Sequence, residues 1–146
     1  MPIITPLDVQ QEQALQNLKA LLTFEETGIE RVSIDALDSI NETTLVIVDL
    51  GMQEARPGNS RREIRWDLGL QVYIQKSDLE TAHQLARSIR ARLIDRLGDA
   101  VTLGGAVSSS QWAEPLKIVQ LDSGATSYLG LDCVYTLWIR DARTFE

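Results

Sequence analysis

One alternating stretch of sequence decides the fold of this chain: Ile64-Arg65-Trp66-Asp67-Leu68-Gly69-Leu70-Gln71-Val72-Tyr73-Ile74. Ile64 and every second residue after it are apolar, whereas the residues between them are mostly polar or small. A period of two places successive side chains on opposite faces of a β-strand. The stretch therefore predicts a long strand with one face in the core.

The end of the chain repeats this pattern, from about Ser127 to Arg140. One face of this second predicted strand is apolar throughout: Leu129, Leu131, Cys133, Tyr135, Leu137 and Ile139. The opposite face carries Tyr128, Asp132, Val134, Thr136 and Trp138. The two stretches have similar lengths and the same alternation, so we expect two long strands of one sheet.

Two amphipathic helices are predicted, because apolar residues recur at helical spacing in two segments. The first runs from Pro6 to Thr23, with proline at its first position. The second follows a capping box formed by Ser77 and Glu80, and Gly98 is its expected C-cap. Its apolar stripe is Leu79, Ala82, Leu85, Ala86, Ile89, Leu93 and Leu97. Each stripe predicts a helix packed on the sheet.

Shorter apolar runs predict the remaining strands. Residues 32–37 and 44–50 are expected to pair as a hairpin across residues 38–43, and Leu116–Leu121 is a further strand. A weak strand is predicted at Val101–Val107, followed by a flexible link at residues 108–110. The fold class is therefore α+β: a mainly antiparallel sheet with two helices packed on one face, in the order α-β-β-β-α-β-β-β.

The segment from Met52 to Arg62 is predicted to be a long projecting loop. It is polar and charged, and Pro57-Gly58-Asn59-Ser60 lies at its centre. Loops of this length commonly bind a partner. Arginine forms forked bonds to carboxylates, so the basic group in and beside the loop is a candidate docking site: Arg56, Arg61, Arg62 and Arg65.

Composition limits the class of protein. With 146 residues the chain is long enough for one domain, residues 1–146. Its net charge of -7 disfavours broad binding to nucleic acid phosphates. A single cysteine excludes an intrachain disulfide, and no stretch is long and apolar enough for a membrane span or a leader. We expect a soluble chain in a reducing, cytoplasmic compartment.

The sequence presents no pattern of catalytic or metal-binding residues. His83 is the one histidine and falls outside the apolar stripe of its helix, while Cys133 falls on a core-facing strand position. Gly104-Gly105 lacks the lysine and hydroxyl residue of a phosphate loop. We therefore expect no enzyme activity, no cofactor, no metal and no catalytic residue. A small enzyme or ligand-binding domain with a pocket between helix and sheet stays open as an alternative.

The feature that points to a function is the second face of the two long strands. Tyr73, Tyr128, Val134 and Trp138 lie on the side that the helices are not expected to cover. An uncovered antiparallel face is normally polar, and tyrosine and tryptophan are enriched at protein interfaces. These four residues are the predicted subunit interface, with burial by a curled sheet as the alternative.

These elements together resemble the tail terminator proteins of long-tailed bacteriophages, a family that includes the lambda minor tail protein U. The resemblance rests on the order of elements, the charged loop, the capped helix from Ser77 to Leu97, the segment Val101-Thr102-Leu103-Gly104-Gly105-Ala106-Val107, and the final strand that begins Ser127-Tyr128-Leu129-Gly130-Leu131. The resemblance covers nearly the whole chain. It is a likeness in the order and length of the elements and in the general character of their sequences.

The resemblance implies a structural virion protein without catalytic residues. Tail terminators form a ring, usually a hexamer, on the finished tail tube, where they stop tube polymerisation and join the tail to the head. The implied partners are other copies of the chain, the tail tube protein and the head-tail connector or neck protein. Genomic DNA would pass through the lumen without specific binding.

Two points stay open under this interpretation. The loop could meet the tube, the sheath of a contractile tail or the connector. A head-completion or stopper protein of the neck is an alternative with a similar ring. In each case the chain would belong to the tail or neck of the virion, after assembly in the host cytoplasm.

Overall fold

The computed structural model describes residues 6–23, 28–35, 40, 42–55, 61–75, 78–123 and 126–142. These form two helices and six strands in the predicted order: α1 (Leu7–Leu22), β1 (Arg31–Ile34), β2 (Thr44–Ala55), β3 (Arg61–Tyr73), α2 (Leu79–Gly98), β4 (Ser109–Trp112), β5 (Lys117–Ser123) and β6 (Thr126–Ala142). The α+β fold class is confirmed.

The six strands form one mostly antiparallel sheet with β3 and β6 at its centre. The strand order is β1-β2-β3-β6-β4, and β5 pairs with β6 beside β4. The β3–β6 ladder runs from Arg61 opposite Ala142 to Tyr73 opposite Gly130. Both predicted long strands are thus confirmed, and all of β3 pairs with residues 130–142 of β6.

Both helices pack on one face of the sheet and enclose a single core. The alternate residues of β3 that the sequence assigned to the core, Trp66, Leu68 and Leu70 among them, are fully buried. They meet the apolar stripe of α2 and the side of α1 that carries Leu15, Leu18 and Leu22. Burial of each large apolar side chain stabilises the fold by about 1.5–3 kcal/mol, and this stabilisation drives the packing.

The predicted hairpin of β1 and β2 is wrong, because the two strands run parallel. Arg31 lies opposite Thr44 and Ile34 opposite Ile47. Apolar, β-branched residues indicate that a segment is a strand but not which way it runs beside its neighbour. Asp35 follows the last residue of β1; its φ of 61° is left-handed, and its N–H donates to the Ile47 carbonyl at 2.8 Å.

The weak strand predicted at Val101–Val107 is also wrong. This segment is a series of turns in which Leu103, Gly104 and Gly105 all have positive φ. The buried side chains of Leu103 and Val107 anchor it to the core. The strand follows instead at Ser109–Trp112, where a flexible link was predicted.

The predicted loop at Met52–Arg62 is shorter than expected, since β2 continues to Ala55 and β3 begins at Arg61. Residues 56–60, including Arg56, lie outside the described residues.

The start of α2 is also shifted: Asp78 precedes the first helical residue, and Thr81 Oγ1 donates to the Asp78 carboxylate at 2.6 Å. Ser77, the predicted cap, lies outside the described residues. Gly98, the predicted C-cap, is the last residue of α2, and Asp99 occupies the cap position.

Candidate functional site

The candidate site is the helix-free face, defined here as the face of the sheet opposite α1 and α2. Because side chains alternate along a strand, the odd-numbered residues of β3 point to this face. The β3–β6 register brings Arg65 opposite Trp138, Gly69 opposite Val134, and Tyr73 opposite Gly130. The predicted interface residues therefore do lie on one face.

Trp138 lies at one end of the helix-free face, between two arginines. The guanidinium carbon of Arg65 is 5.7 Å from the centre of the Trp138 ring, and that of Arg140 is 5.5 Å away. Each arginine also pairs with an acid: Arg65 Nε with Asp67 Oδ1 and Arg140 Nε with Glu63 Oε2, both at 3.2 Å. We call these five residues the Trp138 cluster.

The Trp138 cluster is accessible to solvent. Trp138 is partly buried, and both arginines are exposed. Exposed ion pairs and cation–π contacts each stabilise a fold by about 1 kcal/mol or less. The same side chains contribute far more when a partner protein excludes water from them, because tryptophan and arginine are enriched among interface hot spots.

Thr136 ties the Trp138 cluster to the sheet. Its hydroxyl donates to Asp67 Oδ1 at 2.7 Å, and the residue is almost completely buried. Asp67 thereby accepts hydrogen bonds from both Thr136 and Arg65. Both donors bond to the same carboxylate oxygen, and the bond from Thr136 helps to position Asp67 as the partner of Arg65.

The two tyrosines lie together at the other end of the helix-free face. Their rings meet edge to face, with centroids 6.0 Å apart and an interplanar angle of 81°. Tyr73 is only 7% exposed, and its burial, with the nearby carboxylates of Asp132 and Asp122, raises its pKa. Tyr73 is therefore already covered by other residues of the same chain, and Tyr128 is more accessible to a partner than Tyr73 is.

A shallow apolar centre separates the two ends. Val48, Gly69 and Val134 lie in one row across β2, β3 and β6. Gly69 has no side chain, and Leu50 fills the space above it: a Cβ on Gly69 would lie 3.5 Å from the Leu50 side chain. Leu50 is 53% exposed, which is unusual for a large apolar residue on a sheet.

Sequence reasoning missed Leu50 because a β-bulge moves it. The pairing register of β2 and β3 shifts between Asp49 and Gly51, which leaves Leu50 as the extra residue. In the bulge, Asp49 Oδ1 accepts hydrogen bonds from Gly51 N at 3.0 Å and from Trp66 Nε1 at 2.9 Å. A glycine directly after an apolar run was the available signal.

The predicted residues thus form two separate groups. Trp138 and Arg65 are in contact, although they were predicted as parts of different sites. Tyr128 lies ten residues from Trp138 along β6, or roughly 33 Å at the rise of an extended strand. Arg61 and Arg62 belong to β3 next to the Trp138 end.

The cavities among the described residues are shallow. One of about 400 Å³ lies between α1, α2 and the turn at 101–106, and another of about 410 Å³ lies beside Arg65 on the helix-free face. In the first, Asn17 Nδ2 donates to the Leu103 carbonyl at 2.8 Å, and Arg96 Nε donates to the Leu21 carbonyl at 3.1 Å. Both side chains line the cavity, and each donates to a backbone carbonyl of a neighbouring segment.

Titratable groups add little chemistry to the described part of the chain. Burial raises the pKa of the Cys133 thiol to about 12, so the thiol stays protonated at neutral pH. No cluster of three or more His, Cys, Asp or Glu that could hold a metal ion occurs among the described residues. Neither α1 nor α2, the two helices described, is long and apolar enough to span a membrane.

Comparisons with known proteins give a distant likeness. The sequence matches no protein-family model and resembles no curated protein closely enough to count as a relative. A solved structure of a protein known only by a sequence identifier is similar over 92% of this chain and 96% of that one. Its sequence identity is 12% and its TM-score is 0.46, a likeness that carries no argument about function.

Proposed function

We propose that this chain is a structural virion protein of a long-tailed bacteriophage. In this proposal it forms a ring at the head-proximal end of the tail, ends polymerisation of the tail tube, and joins the tail to the head. The observation that carries the proposal is the helix-free face, on which Leu50 is exposed and Trp138 and Val134 are only partly buried. The kind of assembly, a tail terminator ring, is inferred from the resemblance in the order of the elements.

The composition of the helix-free face supports a protein partner. Most of its positions on β3 and β6 carry polar or small side chains, as a face in contact with water does, so the large apolar residues on it are exceptions. Here a tryptophan between two arginines lies at one end, and an exposed leucine lies near the centre. Aromatic residues and arginine are the types enriched at interfaces between proteins.

Charge supports a ring around DNA. Each copy contributes a net charge of -7, and a ring multiplies that charge. A lumen of the same sign as DNA lets the genome slide through without adhering. The partners in this proposal are other copies of the chain, the tail tube protein, and the connector or neck protein.

A stopper or head-completion protein of the neck is the nearest alternative. It would use a similar ring and meet the portal side instead of the tube. Deletion of the gene in the phage separates the two, followed by electron microscopy of lysates. Overlong tubes support a terminator, normal tails beside unjoined heads support a stopper, and unaltered particles contradict both.

A small ligand-binding domain is the alternative from a different class. The cavity near Arg96 is large enough for a small molecule, since binding pockets occupy about 300–1,000 Å³. A thermal-shift screen of small ligands tests this alternative. A saturable increase in melting temperature that Arg96→Ala abolishes would favour it over the ring.

A further inference from the structure

The bulge in β2 determines which residues of this strand reach the helix-free face. Before the bulge, odd-numbered residues of β2 lie opposite core residues of β3, as Asp49 lies opposite Leu68. After it, even-numbered residues do so, as Met52 lies opposite Trp66. Opposed residues of an antiparallel pair share a face, and a shift of one residue moves each side chain to the other face. The extra residue, Leu50, therefore exchanges the two faces of β2 from the bulge onward.

This exchange shapes the helix-free face beside the Trp138 cluster. The cavity of about 410 Å³ next to Arg65 is lined by two residues of β3 and by residues 51–53 of β2. Gln53 lies opposite Arg65, and Arg65 lies opposite Trp138, so these three residues form one row across the sheet. The outer half of β2, defined as residues 50–55, thus provides one wall of this cavity.

Asp49 holds the bulge from the opposite side of the sheet. Asp49 shares the helix-covered side with Leu68, and its Oδ1 accepts hydrogen bonds from Gly51 N at 3.0 Å and from Trp66 Nε1 at 2.9 Å. The first bond forms an Asx turn, in which an aspartate accepts the N–H two residues further along the chain. The second attaches this turn to a fully buried tryptophan. One carboxylate oxygen therefore connects the bulge to the core.

The backbone on each side of the bulge is fixed as well. The Asp49 N–H donates to the Asp35 carboxylate at 3.3 Å. Gly51 has a φ of 139°, a conformation that favours glycine. Leu50 lies between Asp49 and Gly51, with its side chain over Gly69 and 53% exposed. A large apolar side chain is thereby held at the surface by the two residues that flank it.

We propose that Asp49 is a positioning residue for the helix-free face. Its carboxylate oxygen stabilises the bulge from the helix-covered side, and the bulge directs Leu50 and Gln53 to the other side. Without this acceptor the bulge loses both its turn and its attachment to Trp66. The outer half of β2 should then separate from β3, while the earlier part of the strand remains paired. The inference concerns the shape of this face and is independent of the proposed ring.

Nuclear magnetic resonance of the isolated full-length chain tests this role. In the native chain we expect an Overhauser contact between the Leu50 methyl groups and the Gly69 Hα, because the Leu50 side chain lies 3.5 Å from the Cβ position of Gly69. Asp49→Ala should lose this contact. The cross-strand contacts between Val46 and Gln71, which lie before the bulge, should remain.

Two further variants serve as controls. Asp49→Asn retains an acceptor oxygen and should keep the contact between Leu50 and Gly69. Asp132→Ala removes an exposed acid from β6 and should keep it too. The inference is overturned if Asp49→Ala keeps the contact or if Asp49→Asn loses it. Loss of the contact in Asp132→Ala also overturns it, because removal of any negative charge would then have the same effect.

Deletion of Leu50 separates the role of Asp49 in the bulge from its role as an acceptor for Trp66, even where Asp49→Ala does not fold. The deletion leaves the residues on both sides with their partners on β3 and no extra residue between them. In the Asp49→Ala background it should therefore raise the urea midpoint, or restore a cooperative transition that Asp49→Ala lacks. Deletion of Gln53 is the matched control and should do neither. No rise, or an equal rise from both deletions, would mean that Asp49 does not act through the bulge and would overturn the inference.

Discussion

Arg65 and Trp138 lie directly opposite each other on β3 and β6, with the guanidinium carbon of Arg65 5.7 Å from the centre of the tryptophan ring. Arg140 flanks the ring at 5.5 Å. The β3–β6 pairing thereby places an aromatic residue and two arginines at one end of a face that no helix covers. Residues of these types provide most of the binding energy at many protein interfaces.

Substitution Trp138→Ala tests this part of the helix-free face. The isolated chain should lose about 1 kcal/mol or less of unfolding free energy, because the contacts of Trp138 are those of a surface residue. Assembly should weaken by about 2 kcal/mol or more, as for an aromatic hot spot. Urea unfolding measures the first quantity, and ring yield over a concentration series measures the second.

Trp66→Ala is the matched control, since Trp66 is a fully buried tryptophan on the other face of the same sheet. It should lower the unfolding free energy by about 3–5 kcal/mol. If Trp138→Ala destabilises the isolated chain as much as Trp66→Ala does, Trp138 is a core residue and not an interface residue.

The bulge gives a second prediction through Asp49. Its carboxylate accepts the hydrogen bond of the buried Trp66 indole at 2.9 Å. Asp49→Ala leaves that N–H without its acceptor and should cost about 1–3 kcal/mol in urea unfolding. Asp49→Asn retains an acceptor oxygen and should cost less. Asp132→Ala, an exposed acid on β6, is the control; an equal loss from it would contradict the role of Asp49.

The sequence predicted the centre of this fold well because long strands and helices leave a periodic signal. In Ile64–Ile74 and around Leu129–Ile139, one face is apolar at every second residue, and only a half-buried strand accounts for that spacing. The same alternation placed Trp138 on the helix-free face. The contact with Arg65 needs the pairing register, which no single strand reveals.

The errors arose where local chemistry does not determine geometry. The residues of β1 and β2 favour a strand, but they do not determine whether the two strands pair parallel or antiparallel. Met52–Ala55 resembled a loop because an exposed strand at a sheet edge is polar. Val101–Val107 resembled a strand, although the positive φ of Leu103 belongs to a turn.

Gly130 gives a third prediction, because β3 approaches it closely. A Cβ at this position would overlap the Val72 carbonyl oxygen and lie 2.7 Å from Leu121 Cδ1. Gly130→Ala should lower the unfolding free energy by roughly 1–3 kcal/mol, the usual cost of overpacking, or more. In contrast, Gly98→Ala at the end of α2 meets nothing within 4 Å and should be neutral or stabilising by up to about 1 kcal/mol. A stable Gly130→Ala chain would contradict the β3–β6 approach.

Cys133 gives a prediction about pH. Its pKa is raised by burial from 9.0 to about 12, so the unfolded chain releases this proton at lower pH than the folded chain. The stability that the neutral thiol contributes is therefore complete below pH 9 and is lost progressively up to about pH 12. Unfolding free energies of the native chain and Cys133→Ala should converge over that window. A constant difference would contradict the burial of the thiol.

The basic group near residues 56–62 gives a fifth prediction. Because the sequence around Arg56, Arg61 and Arg62 is polar and charged, replacement of the three by serine should change stability by about 0.5 kcal/mol or less. It should impair termination of tubes or joining of tails to heads. Overlong tubes place this segment on the tube side, and unjoined heads place it on the connector side. Normal yields of infectious particles would remove the segment from the mechanism.

The most direct test of the central claim is cryo-electron microscopy of the virion encoded by the genome that carries this gene. The account predicts a closed ring of copies, expected to be a hexamer, between head and tail, with Trp138 in contact with another protein chain. A single copy, a two-fold dimer, or particles that lack the chain would contradict it.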